Sequence, residues 1–377
     1  MKIVHLTKYF PPQFGGVEIY TYLLAKAAMK EGHEVTVIAF NTTPKFKKEK
    51  WEGINVIRMP KILDFFRTPI SFPFINILGK LKPEIIHLHS PNPWMEWNLL
   101  FYKFFSKSKI IVSYHSDIVN YTPIHSIFNF LRYLFLFPLY TLSNKIIIST
   151  KNYAQSSDVI KTFRKKTVII PYGVNEDTFK SSTKKKNNKL TLLYVGRLAE
   201  YKGLEYLIQA IKQISEKEKS FVLHIFGYGE FKEKLKSLVR TLNLEKFVIF
   251  DKISSQYYPS EKEKIKKYQE ADVFILPSIS RAEAFGIVLL EAMASGLPII
   301  CTDVSGSGMS FINQNNQTGL VVKAKDPKSL SEAILKMRDP KLREKFGKNA
   351  RKRFLELFTE KSMIEKSQGL YQKTENN

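Results

Sequence analysis

The chain reads as an α/β protein built from two doubly wound parallel sheets in tandem. Three observations predict this. Short runs dense in Val and Ile alternate with helical patterns, the rhythm of strand–helix–strand units whose parallel strands are buried on both faces. Residues 180–189 (KSSTKKKNNK) contain no apolar side chain and read as a solvated linker. The same rhythm then restarts, and 377 residues suffice for two or three cores.

Before the linker, strands are predicted at residues 2–6, 34–39, 54–58, 85–88, 109–113, 145–149 and 167–170. Each is a short β-branched run. A helix is predicted over 17–30, stopped by Gly32. After the linker, strands are predicted at 191–195, 221–226, 247–250, 273–276, 298–301 and 319–322. Helices are predicted at 204–215, 230–241, 265–271, 285–294, 327–337 and 342–358. Doubly wound sheets bind ligands at the carboxyl ends of their strands, so a cleft between the two halves is the expected active site.

Composition narrows the partners. Lys and Arg number 59 against 35 Asp and Glu, a net charge of +24 carried by both halves. Nucleic acid, an anionic membrane surface, anionic small substrates or simply a lysine-rich composition would each account for it. No nucleic-acid signature is present, so no nucleic-acid partner is expected. Residues 61–82 and 121–142 are rich in Phe, Leu and Ile and are edged or interrupted by Lys or Arg, which suits segments lying in a lipid interface. In the first of these, Phe65, Phe66, Phe72 and Phe74 follow no clear helical period. No run reaches the ~18 charge-free apolar residues of a membrane span, and the first residues do not resemble a signal peptide. The expected location is cytoplasmic, with peripheral contact to the cytoplasmic face of the cell membrane. The single cysteine, Cys301, excludes an internal disulfide and a four-cysteine zinc site.

The most informative stretch is residues 277–298, PSISRAEAFGIVLLEAMASGLP. A predicted strand ends before it and a predicted helix starts near Phe285. Gly286 falls in the expected first turn, where free N–H groups and the helix dipole attract anions. Glu283 and Glu291 lie eight residues apart, ~12 Å along a helix rising ~1.5 Å per residue. That is too far for the ~5–10 Å carboxyl pair of a glycosidase. It suits two hydroxyl-binding carboxylates at the ends of an extended ligand. A second motif, Gly196-Arg197-Leu198-Ala199-Glu200-Tyr201-Lys202-Gly203, follows a predicted strand directly. There, Arg197 and Lys202 would sit at a strand's carboxyl end and point into the cleft, two cations suited to an anionic ligand. Phe226-Gly227-Tyr228-Gly229-Glu230 is a weaker, Gly-x-Gly signal.

Glu283, seven residues, Glu291, then Ala292-Met293-Ala294-Ser295-Gly296-Leu297-Pro298 resembles the signature of retaining glycosyltransferases of the GT-B fold, the family-4, group 1 type. The resemblance covers nearly the whole chain, with Ala284 where many members carry Gly. It implies two Rossmann-like domains: residues 1–175 for the acceptor, 176–358 for the nucleotide sugar, and 359–377 as a helix crossing back to the first domain. It implies catalytic roles for Arg197, Lys202, Glu283 and His115. Donor contacts would come from Gly16, Gly227, Phe285, Gly286, Ile287 and Glu291, with Glu291 on the ribose hydroxyls. Acceptor-side residues would be Glu18, His87, His89 and Asp117. The Gly-rich loop at 305–309 would lend N–H groups to phosphates or simply turn.

No Asp-x-Asp is present, so no metal and no cofactor is expected beyond the nucleotide sugar as co-substrate. The implied reaction moves a hexose from GDP-mannose or a UDP-hexose to a saccharide or lipid-linked saccharide in cell-envelope glycan synthesis. Glu283→Ala or Lys202→Ala is expected to lower turnover by orders of magnitude with the fold intact. The alternatives are a sugar-nucleotide epimerase of similar architecture and a basic membrane- or nucleic-acid-binding protein.

Overall fold

The computed structural model describes residues 1–13, 15–65, 68–118, 123–179, 189–254 and 260–375, without the side chains of 65, 123–127 and 129. The expected linker thus lies outside the described residues up to position 188, as do Phe66 and the side chain of Phe65. The chain divides into two compact units. Unit 1 is Met1–Pro171 with Met363–Asn377, and unit 2 is Tyr172–Ser362.

Unit 1 runs β1 (Lys2–Leu6), α1 (Gly16–Lys30), β2 (Glu34–Phe40), β3 (Lys47–Trp51), β4 (Ile54–Met59), β5 (Leu63–Phe65), β6 (Thr68–Ile70), α2 (Ile75–Leu81), β7 (Ile85–Ser90) and α3 (Pro93–Lys103). It continues with β8 (Lys109–Tyr114), α4 (Pro123–Leu142), β9 (Lys145–Ile148), α5 (Lys151–Ser156), α6 (Asp158–Thr162) and β10 (Thr167–Ile169). Its main sheet has the order β10-β9-β8-β7-β1-β2-β4-β3. Strands β2 and β7 are buried almost end to end, as expected of parallel strands covered on both faces.

The sequence pattern misses β3, whose residues KKEKW pair antiparallel to β4 at the sheet edge. An edge strand with one free side tolerates lysines that a central strand would not. Helices α2 to α6 and the hairpin of β5 and β6 were also unassigned. The first of the two proposed interfacial segments folds into that hairpin and α2, with Phe74 and Leu78 buried and Phe72 exposed. In the second, Arg132 is no interfacial cation. It is buried and forks onto Glu96 through Nε and Nη2, both at 2.7 Å. Ser90 and Tyr140 complete the cluster: the Ser90 hydroxyl donates to Glu96 and accepts from Tyr140.

Unit 2 runs β11 (Leu190–Arg197), α7 (Leu204–Lys217), β12 (Phe221–Tyr228), α8 (Lys232–Thr241), β13 (Val248–Phe250), α9 (Glu261–Glu270), β14 (Val273–Leu276) and α10 (Ile287–Ala294). After these come β15 (Ile299–Asp303), α11 (Met309–Ile312), β16 (Gly319–Lys323), α12 (Pro327–Lys336) and α13 (Pro340–Leu357). The sheet order is β13-β12-β11-β14-β15-β16, parallel throughout. The last helix, α14 (Glu360–Glu375), belongs to unit 1 from Met363 onward. There the Tyr371 hydroxyl meets His87 Nδ1 at 2.6 Å. No helix among the described residues is long and apolar enough to cross a membrane.

Candidate active site

In unit 2 the chain builds outward from β11 through β12 to β13, then restarts beside β11 with β14 and builds the other way. The carboxyl ends of two such strands open a crevice where doubly wound sheets take ligands. Two loops meet there. Arg197 closes β11, the loop after it carries Lys202, and the loop after β14 carries Glu283. The loops are joined by the Ile279 N–H donating to the Tyr201 carbonyl at 2.8 Å. Gly203 has φ 67°, and a Cβ on it would lie 2.2 Å from the Pro277 carbonyl oxygen. Only glycine meets both demands.

The close approach brings the Lys202 ammonium onto the Glu283 carboxylate in a buried pair. Burial alone would lower the lysine's pKa. The Glu283 charge outweighs it and holds Lys202 well above its ordinary value, so it stays a cation. The Ser278 hydroxyl donates to the same carboxylate at 3.3 Å. Behind it, the Ser307 hydroxyl donates to the Glu283 carbonyl at 2.5 Å and the Gly308 N–H to the Ala284 carbonyl at 2.8 Å. The Gly-rich loop therefore spends these two donors on bracing the Glu283 segment rather than facing a phosphate.

The helix begins at Ile287, later than the sequence suggests. Gly286 caps it with φ 89°, and Phe285 lies outside it. The helical ruler thus applies only from Ile287 to Glu291, and the ~12 Å separation inferred from a continuous helix does not carry over. Glu291 is buried and held from α9: Lys264 Nζ reaches Oε1 at 2.6 Å and the Tyr268 hydroxyl reaches Oε2 at 2.8 Å. Sequence reasoning missed both partners because they reach Glu291 from a different helix, and it left Lys264 outside that helix by starting it at residue 265. The readable signal was the Ser260–Glu263 capping box, which puts Lys264 and Tyr268 one turn apart on one face.

Arg197 is exposed and forks onto Glu230 at 3.1–3.2 Å. Gly227 has a packing reason of its own. A Cβ there would lie 2.0 Å from the Gly196 carbonyl on the neighbouring strand.

In unit 1 the sheet reverses direction between β1 and β7. Gly16 opens α1 after β1, exposed, with Gly15 as the cap. Burial lifts the nearby Glu18 carboxyl above its ordinary pKa. His115 follows β8 and is buried, its backbone N–H donating to the Ser90 carbonyl at 2.8 Å. Asp117 is drawn into local structure: its carboxylate accepts from Tyr114 at 2.6 Å and Ser157 at 2.7 Å, and its N–H donates to the Tyr153 hydroxyl at 2.6 Å. His87 and His89 were expected on the acceptor side. Both are buried inside unit 1; strand register sets His87 beside His5 and the two-residue repeat puts His89 on the same face as His87.

Among the described residues, His5, His87 and His89 form the one cluster with metal-ligand spacing, their nitrogens within 4.8 Å of one another. His5 Nδ1 meets His89 Nε2 at 3.1 Å, and His87 is engaged by the Tyr371 hydroxyl at 2.6 Å and Ser113 Oγ at 2.8 Å. These contacts link the cluster into a hydrogen-bonded network.

Two reversal points, each with glycine-bearing loops at its strand ends, and a buried Lys–Glu pair at the second fit a glycosyltransferase of GT-B architecture. Residues 175–353 match the model of glycosyl transferases group 1, and residues 14–178 that of glycosyltransferase family 4. The chain belongs to this glycosyltransferase group and is a hexosyltransferase. It is 29% identical to the O-antigen chain mannosyltransferase C of Escherichia coli, over 98% of each chain. It is 27% identical to the D-rhamnosyltransferase WbpZ of Pseudomonas aeruginosa, over 95% of this chain and 92% of that one. Its fold is similar to sucrose-phosphate synthase from Thermosynechococcus elongatus, with TM-score 0.79 at 22% identity over 99% of this chain and 98% of that one.

Proposed function

We propose that the protein is a retaining, metal-independent transferase that moves a mannose-type hexose from a nucleoside diphosphate sugar to a saccharide or lipid-linked saccharide during cell-envelope glycan synthesis. The observation that carries this is the buried Lys202–Glu283 pair at the carboxyl ends of β11 and β14. Lys202 and Arg197 meet the diphosphate and stabilise its charge as it leaves. Glu283 and His115 orient the sugar. Glu291, held by Lys264 and Tyr268, takes the ribose hydroxyls. The backbone at Gly16, Gly227, Phe285, Gly286 and Ile287 lines the donor. Two fixed cations supply the charge that a metal ion supplies in other transferases. The names of the two relatives support a mannose-type sugar, since D-rhamnose is 6-deoxymannose.

The test is a melting-point screen against GDP-mannose, UDP-glucose and related nucleotide sugars. A true donor at about 100 times its Kd adds about 2.7 kcal/mol of stability. Mass spectrometry of an acceptor incubated with that donor should then show one added hexose. The reading fails if no nucleoside diphosphate sugar shifts the melting point and none is consumed.

A lipid-linked acceptor is favoured by a further observation. Helices α3 and α4 pack side by side, with Trp97 against Phe135. Phe104 and Phe105, just past the end of α3, and Phe130 on α4 are 67%, 88% and 66% exposed, with Lys103 and Lys107 close by in sequence. Such a face suits the cytoplasmic surface of an anionic membrane. The protein should co-sediment with phosphatidylglycerol vesicles, less so in high salt. The Phe104→Ser/Phe105→Ser variant should lose most of that binding. Equal recovery of both proteins with the vesicles would sink this assignment.

A further inference from the structure

A groove of about 1010 Å3 opens in unit 1 at the amino ends of β7 and β8, as large as sites that take whole organic ligands. Ile85 opens β7, Lys109 opens β8, and both line the groove. Ser90 closes β7 five residues further on, about 16 Å away at about 3.3 Å per residue. The groove is therefore remote from the carboxyl ends of the unit 1 strands. Its walls are α2, the end of α3 and the segments that lead into β7 and β8.

The lining divides by chemistry. Its buried part is Pro83, Ile85, Tyr102 and Ser108. The two hydroxyls there are already engaged: Tyr102 donates to the Leu78 carbonyl at 3.3 Å and Ser108 to the Pro83 carbonyl at 2.5 Å. What remains to a ligand at that depth is apolar. Around it stand four lysines, Lys80, Lys82, Lys107 and Lys109. None of the four ammonium groups has a hydrogen bond or an ion pair among the described residues. Two carboxylates oppose them, Glu84 and Glu375, and Glu84 Oε2 already accepts the Lys2 backbone N–H at 2.5 Å. Four ammonium groups against two carboxylates leave an excess of two positive charges.

Helix ends explain part of this charge. Lys80 lies in the last turn of α2 and Lys82 caps it, where a cation meets the negative end of the helix dipole. Lys107 and Lys109 lie beyond α3 and have no such reason. Lys109 also acts against Lys103: burial, and then the Lys109 charge, press the Lys103 pKa below its ordinary value. Local rules are broken in this way chiefly at functional sites. Phe105 lines the same groove and is 88% exposed. A bare phosphate would meet the lysines and leave the apolar lining and this ring unused. An amphiphile with a phosphate beside an apolar chain uses all three.

We propose that the groove is a headgroup site for one anionic phospholipid, with the lipid phosphate on Lys107 and Lys109 and the glycerol and first acyl carbons along Pro83, Ile85 and Phe105. The site deepens the membrane contact proposed above and rests on that reading. It assigns one lipid molecule to one place, where a basic apolar face assigns only a surface.

The probe is monomeric dihexanoyl phosphatidylglycerol, kept below its micelle concentration, with dihexanoyl phosphatidylcholine and inorganic phosphate as the other arms. Calorimetric titration of the full chain should show saturable binding of the first at one site, and at least tenfold weaker binding of the other two. Lys107→Gln/Lys109→Gln should weaken binding of the monomer, and of phosphatidylglycerol vesicles, about thirtyfold. Lys48→Gln/Lys50→Gln removes the same charge from β3, four strands beyond β7 in the sheet, and should leave monomer binding unchanged. Inorganic phosphate bound as tightly as the lipid overturns the lipid assignment. An equal fall in both double variants, or no saturation by the monomer while vesicles still bind, overturns the site and leaves the membrane contact standing. Monomer binding that is lost only in Lys107→Gln/Lys109→Gln, with no recovery on vesicles, supports the site and removes the membrane contact.

Discussion

Lys202→Met should cut turnover by roughly 10²–10³, the usual cost of removing one preorganised group that stabilises developing negative charge, and should also destabilise unit 2. The second effect follows from burial. Lys202 and Glu283 have side chains only 9% and 11% exposed. Removing one member leaves a buried carboxylate without its partner, a loss of about 3–5 kcal/mol. The sequence alone treats the two residues as independent and expects the fold to survive either alanine substitution untouched. The contact couples them. Glu283→Gln keeps the volume and a hydrogen-bonding group, so it should lower kcat with a smaller change in melting point. Lys202→Met/Glu283→Gln should recover most of the stability and none of the turnover. Steady-state kinetics with thermal melts of all three variants separate the effects, and near wild-type turnover for Lys202→Met would remove the chemical role given to this pair.

Arg132→Met should destabilise unit 1 by about 3–5 kcal/mol, and Arg132→Met/Glu96→Leu should be close to neutral. The reason is the same asymmetry. Glu96 and Arg132 have side chains only 1% and 3% exposed, so either charge alone is stranded, whereas an apolar pair of similar volume needs no solvation. The pH dependence has a definite sign. Burial raises the Glu96 pKa, but the Arg132 charge outweighs it and holds the carboxyl below 4.5. Its contribution is therefore complete above about 4.5 and is lost as pH falls through the lower folded-state value. The histidines act earlier. Their unfolded value near 6.5 drops to about 3 in the folded state for His5 and His115, so the unfolded chain takes up protons that the folded one refuses. Unit 1 should lose stability from about pH 6.5 downward, with Glu96 adding to the loss below about 4.5. Denaturant midpoints across that range check both. A single mutant as stable as the double would mean the pair carries no net energy.

Much of this protein is legible without coordinates, for an identifiable reason. Strands such as β2 and β7 are buried on both faces, so their residues are constrained by solvent exclusion alone and show as apolar runs. The motif residues Arg197, Lys202 and Glu283 lie at or within seven residues of the ends of such strands, and the strand ends announce where loops begin. What was not legible is what depends on neighbours far along the chain. The edge strand β3 is charged because one side of it is free. Lys264 holds Glu291 across 27 residues of sequence. Arg132 reads as a cation breaking an apolar helix until Glu96, 36 residues away, is found against it.

The amino-acid order by itself determined the alternation of strands and helices, the presence of two sheets and the identity of the charged groups at their ends, because burial and local backbone preference act over a few residues. Only the tertiary structure decided which charges pair, where α10 begins and that His5, His87 and His89 gather in one buried cluster. Those outcomes depend on strand register and on helices packed from distant segments, and no local pattern records a partner that arrives from elsewhere in the chain.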